Sequence, residues 1–104
     1  MGLDVYWTGF AEMKLGEIAE FYRLQAGRKV AKGIVNGIIK EALTLNKAPF
    51  IGPIEPLLQD RPLEIRYLVF RYFKILYWIN ESKRRIDILN IFDTRQNPEK
   101  IKET

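Results

Sequence analysis

The chain has neither cysteine nor histidine. Without cysteine it has no disulfide framework, no thiolate nucleophile and no zinc ribbon. Without histidine it lacks the usual general base at neutral pH and the commonest metal ligand. No apolar run approaches the length of about 20 residues that crosses a bilayer, and the first eighteen residues, MGLDVYWTGFAEMKLGEI, show no basic segment followed by an apolar one. These absences lead to the expectation of a soluble, cytoplasmic protein with no membrane partner, no cofactor and no metal. Proline is nearly confined to one place: Pro49, Pro53, Pro56 and Pro62 are four of the five.

What is present is enough for one core. The 104 residues are 47% hydrophobic, so the expected organisation is a single domain over 1–104. Lys and Arg number 17 against 13 Asp and Glu, a net charge of +4. Between Arg61 and Arg85 the balance is locally basic: Arg61, Arg66, Arg71, Lys74, Lys83, Arg84 and Arg85 stand against only Glu64 and Glu81.

Leu3 to Trp7 is a short run of β-formers, and Thr8 after it is a suitable helix N-cap. Ala11, Leu15, Ile18 and Tyr22 then recur at helical spacing up to Gly27, which can supply a C-terminal cap. From Arg28 to about Asn46, Val30, Ile34, Ile38 and Leu45 form a second stripe, with Lys29, Lys32, Asn36 and Lys40 on another face. Two helices in succession make an αα-hairpin. The proline-rich stretch Lys47 to Pro62 is a surface crossing. After it EIRYLVF, YFKILYWI and RRIDILNIF alternate with period two and are joined by links short enough to require antiparallel pairing.

The fold class expected is therefore α+β, in the order β-α-α-β-β-β, with the helical hairpin on one face of an antiparallel sheet. The other face is then expected to be open to a partner. Alternation sets Arg66, Leu68 and Phe70 opposite Ile65, Tyr67 and Val69, and Lys74, Leu76 and Trp78 opposite Phe73, Ile75 and Tyr77.

This order, the strand pair RYLVFRYFKILYWI and the terminal IDILNIFDTRQNPEKI together resemble the RelE/ParE toxin superfamily, the toxin half of bacterial type II toxin–antitoxin (plasmid stabilisation) modules. The resemblance covers nearly the whole chain, and it implies one of two activities. RelE-like members are ribosome-dependent, metal-independent endonucleases of messenger RNA; ParE-like members inhibit growth by binding DNA gyrase. Both are neutralised by a cognate antitoxin. Position by position, Arg95 after the last strand and Lys74 in the middle strand match basic residues of the RelE-like site, and they are catalytic only on that reading. The C-terminal tyrosine expected after Arg95 is absent, where the chain reads Asn97 to Ile101, and IEPLLQDRPLE offers only Arg61 in place of a basic cluster. The resemblance therefore implies ParE-like inhibition, with RelE-like cleavage and a non-toxic nucleic-acid-binding module as the alternatives.

The residues expected to grip a target or nucleic acid are Arg66, Arg71, Lys74 and Arg95. Those expected to receive the antitoxin by helix or strand augmentation are Leu68, Phe70, Leu76 and Trp78. Arg95 also has a plainer reading, in which its guanidinium forks onto Asp93. Lys29, Lys32 and Lys40 read as a solvated stripe, and Glu17 and Glu20 as a solvated face.

Overall fold

A computed structural model describes residues 2–104. Strand β1 (Asp4–Trp7) leads through Thr8 into α1 (Gly9–Ala26), and α2 (Arg28–Leu43) follows directly. Strands β2 (Arg66–Phe70), β3 (Phe73–Asn80) and β4 (Arg85–Asp93) complete the sheet, with short 3-10 turns at Thr44–Asn46, Pro56–Leu58 and Pro98–Glu103. The Thr8 hydroxyl accepts from the Ala11 N–H at 3.2 Å and donates to the Ile88 carbonyl at 2.8 Å, so one side chain caps α1 and ties it to β4. Gly27 turns α1 into α2 without a linker. Its φ of 93° suits a residue with no Cβ, and its N–H donates to the Arg23 carbonyl.

The strand order is β1-β4-β3-β2. β2, β3 and β4 form the expected antiparallel meander, while β1 joins the sheet parallel to β4, so the sheet is mixed. The link Arg71–Tyr72 has neither glycine nor asparagine, and Arg71 takes the positive φ itself, at 55°.

Directly opposed residues of an antiparallel pair share a face. Phe73, Ile75 and Tyr77 of β3, with Ile86, Ile88 and Ile91 of β4, pack under α1 and α2 against Ala11, Ile34, Ile38 and Ala42. The opposite face is not open, contrary to expectation. Leu58 of the proline-rich crossing and Ile101 of the C-terminal turn form a second core with Ile65, Leu76 and Phe92, and Leu57, Leu63, Tyr67 and Leu89 pack around it. The crossing and the tail carry too much apolar surface to remain in water, and β3 and β4 offer apolar side chains on both faces. Arg61 fastens these two covers, with Nη1 donating to the Thr104 carbonyl at 2.8 Å and Nη2 donating to that of Lys102.

A bulge in β4 decides which way its end points. Leu76 pairs with Asn90, but Tyr77 pairs with Ile88, leaving Leu89 as an extra residue. Ile88 and Ile91 consequently face the helices together although they are three positions apart, a spacing that puts regular strand residues on opposite faces. The same shift brings Asp93, opposite Phe73, to the helical side.

Candidate functional site

The hairpin tip between β2 and β3, the end of β4 and the C-terminal part of α1 converge on Arg95. Asp93 holds its guanidinium in a fork: Nε donates to Oδ1 at 3.0 Å and Nη2 to Oδ2 at 2.7 Å. The Arg95 N–H also donates to Asp93 Oδ1. The guanidinium lies 3.9 Å from the centroid of the Tyr72 ring, and Nη2 donates to the Tyr22 hydroxyl at 3.2 Å. The hydroxyls of Tyr22 and Tyr72 bond to each other. Thr94 fixes the turn by donating both its N–H and its hydroxyl to the Tyr72 carbonyl. A cleft of about 290 Å³ opens beside this group, between α1 and the sheet, lined by Ile18, Phe21, Tyr22, Phe73, Asp93 and Arg95.

Electrostatics keep the group's protonation fixed near neutrality. The Arg95 guanidinium holds the Asp93 carboxyl below the usual carboxylate range, and the same hydrogen bond pushes Arg95 further up. Burial raises Tyr22, with a further rise from the bond to Tyr72, against the opposing pull of Arg95. None of these three groups is poised to exchange a proton near pH 7. The arrangement presents a half-exposed cation on an aromatic platform, with phenol hydroxyls beside it. That is equipment for gripping an anion or a planar acceptor.

The structure does not bring the four predicted basic residues together. Lys74 lies on the opposite face from Arg95, since its cross-strand neighbours are Val69 and Phe92. Arg95 therefore lies on the helical side of the sheet, away from Lys74, because the β4 bulge turns Asp93, which holds it, toward α1. Lys74 Nζ instead meets Glu55 Oε1 at 2.6 Å and covers the Tyr67 ring at 4.3 Å. Glu55 is 1% exposed, and its other oxygen accepts from the Leu57 N–H. Arg66 is at the far end of β2, donating to the Gly52 carbonyl and to Glu64 and resting over Phe50. Arg71 is exposed at the hairpin tip, over Phe70.

The set Leu68, Phe70, Leu76 and Trp78 does not form one surface. Leu68 and Phe70 face the helices, and Phe70 packs on Gly37 of α2. Leu76 is fully buried in the second core, and Trp78 is partly buried beside Phe50 and Arg66 in a cleft of about 410 Å³. The cause is register: Leu68 opposes Ile75 and Leu76 opposes Tyr67, so two of the four point to each side.

Sequence reasoning missed Tyr22 and Glu55 as partners of the two cations. Tyr22 is legible only as part of the apolar stripe of α1, since its hydroxyl emerges at the edge of the core. Glu55 carried a signal, a carboxylate in the apolar stretch PIEPLL, that pairs naturally with a lysine in an apolar strand. Tyr77 is a brace: its hydroxyl accepts from the Gly52 N–H at 3.0 Å and donates to the Pro49 carbonyl at 2.8 Å, holding the crossing segment.

Comparison with solved structures sets a relative beside this geometry. A chain of the structure described as "Chromosomal ParDE TA system from P. aeruginosa" superposes with a TM-score of 0.73 at 22% sequence identity, over 88% of this chain and 95% of that one. The fold is ParE/RelE-like. Comparison with protein-family models and with curated proteins gives no match. The ParE/RelE-like order, a helical hairpin over a meander with β1 added beside the last strand, is what positions Arg95 and Tyr22 against each other. Among the described residues no helix is long and apolar enough to cross a membrane.

Proposed function

We propose that this chain is the toxin component of a type II toxin–antitoxin module and that it acts by binding a target such as DNA gyrase, in the ParE-like manner. The fold likeness to a ParDE chain supports the toxin–antitoxin assignment. The observation that favours binding over RNA cleavage is the separation of Arg95 and Lys74 on opposite faces, each already matched to a carboxylate, Asp93 and Glu55. Cleavage through the 2′-hydroxyl needs a base, an acid and charge stabilisation converging on one phosphate. Arg95 with Tyr22 and Tyr72 offers the charge stabilisation and hydrogen bonding of a grip, with no base beside them held ready near neutral pH.

The grip is the half-exposed edge of Arg95, together with Arg71 at the same end of the sheet. An antitoxin segment would neutralise the toxin by covering this end and entering the cleft along α1. The test is a plasmid supercoiling assay with purified gyrase and the purified protein, run beside an antitoxin-like peptide encoded next to its gene. Inhibition by wild type, reduced at least about tenfold in Arg95→Ala and relieved by the peptide, is the expected result. Full gyrase activity at saturating protein, with transcripts cut in a translating extract, would overturn it.

A further inference from the structure

From Phe21 to Lys40 the chain contains no acidic residue, yet it carries Arg23, Arg28, Lys29, Lys32 and Lys40. Arg23 is matched to Glu20. The other four, all exposed, make no ion pair within 4.0 Å among the described residues. In α2 the buried positions Ala31, Ile34, Ile38 and Ala42 fix the inward face, which leaves Lys29, Lys32, Asn36 and Lys40 along the outward one. We propose that this outward face of α2 is a docking surface for the phosphate backbone of a duplex nucleic acid, a binding function separate from the toxin reading and independent of Arg95.

Helix stability does not account for the placement. The first turn of α2 has no acidic residue and no side-chain cap, and it begins with Arg28 and Lys29 at the end where the helix dipole disfavours cations. The surface suits a phosphate backbone in charge and in shape. Lys29 to Lys40 spans about 16 Å at 1.5 Å per residue, against one phosphate per about 3.4 Å along each strand of a duplex. Gly33 lies between the lysines with no atom within 4 Å of where its Cβ would be, so the helix surface is low there. An acidic protein helix would want a continuous apolar seam along the stripe, and the exposed apolar residues of α2 sit at its two ends instead, Val30 at one and Ile39 and Leu43 at the other. A single strand would want stacking rings, and α2 has no aromatic residue.

The test uses the purified full chain and fluorescence anisotropy with two duplex DNAs of unrelated sequence, titrated across a salt series. Wild type is compared with the triple variant Lys29→Gln/Lys32→Gln/Lys40→Gln and with an equal charge loss elsewhere, Lys83→Gln/Lys100→Gln/Lys102→Gln. Glutamine is close to lysine in helix propensity, so both triples keep α2, checked by thermal melts. The expected result is equal binding to both duplexes, with a slope of log affinity against log salt near −2.7 for three phosphate contacts. The α2 triple should lose binding at least about tenfold and flatten the slope, while the distal triple stays near wild type. No binding at low salt, or equal losses in the two triples, would overturn the proposal. So would tighter binding to a poly-glutamate peptide than to duplex, which would reassign the stripe to a protein partner.

Discussion

Asp93 and Arg95 form a two-point ion pair at 2.7 and 3.0 Å, and the pair faces α1 only because β4 carries one extra residue at Leu89. Without that bulge Asp93 would point to the face that Pro56–Leu58 and Pro98–Glu103 cover, and Arg95 would have no Tyr22 to meet.

The first prediction concerns acid. Asp93 titrates below its unfolded value because of Arg95, so its contribution to stability is fully present above an unfolded carboxyl pKa of about 3.9 and is lost as pH falls through the lower folded value. Because Arg95 is half-exposed, the contribution is small, about 0.5 kcal/mol. Asp93→Asn should lower the urea midpoint slightly at pH 6, and the difference from wild type should vanish near pH 2.

The second concerns alkali. Burial raises Tyr22, so its contribution is intact below an unfolded pKa of about 10 and is lost as pH rises through the higher folded value. Tyr22→Phe should cost about 1 kcal/mol at pH 7 for the lost hydroxyl bonds. The gap to wild type should narrow above pH 10, as followed by denaturant titration.

The third concerns the buried pair. Removing Lys74 leaves the Glu55 carboxylate, 1% exposed, without its cation, so Lys74→Met should destabilise by about 3 kcal/mol. Adding Glu55→Gln to it should restore part of the loss, and a double-mutant cycle on thermal melts reads the coupling directly.

The fourth compares two glycines one helical turn apart. A Cβ on Gly37 would run into the Phe70 ring, whereas one on Gly33 would meet open space. Gly33→Ala should stabilise by up to about 1 kcal/mol through helix propensity, and Gly37→Ala should destabilise by about 1–3 kcal/mol through overpacking. Equal effects would show that Phe70 does not rest on α2.

These four sites mark both what was readable in the sequence and what was not. The helices and the meander were plain, because Ile34, Ile38 and Ala42 repeat at helical spacing and RYLVF, FKILYWIN and RIDILNIFD alternate. The faces were not. Period two places Ile88 and Ile91 on opposite sides, and nothing in IDILNIF signals that Leu89 is the extra residue. The second core was hidden for a different reason. Leu58 and Ile101 lie in segments whose prolines mark them as irregular, and an irregular segment has no period from which a buried face can be read. Arg95 was found, but its partner Tyr22 was concealed in a stripe that otherwise belongs to the core.

The most direct measurement is inducible expression in a bacterium of wild type and Arg95→Ala, reading growth, transcript integrity and plasmid supercoiling from the same cultures. Binding without cleavage predicts arrest by wild type with intact transcripts and altered supercoiling, both relieved in Arg95→Ala. Arrest accompanied by transcripts cut within their coding regions, and abolished by Arg95→Ala, would contradict it.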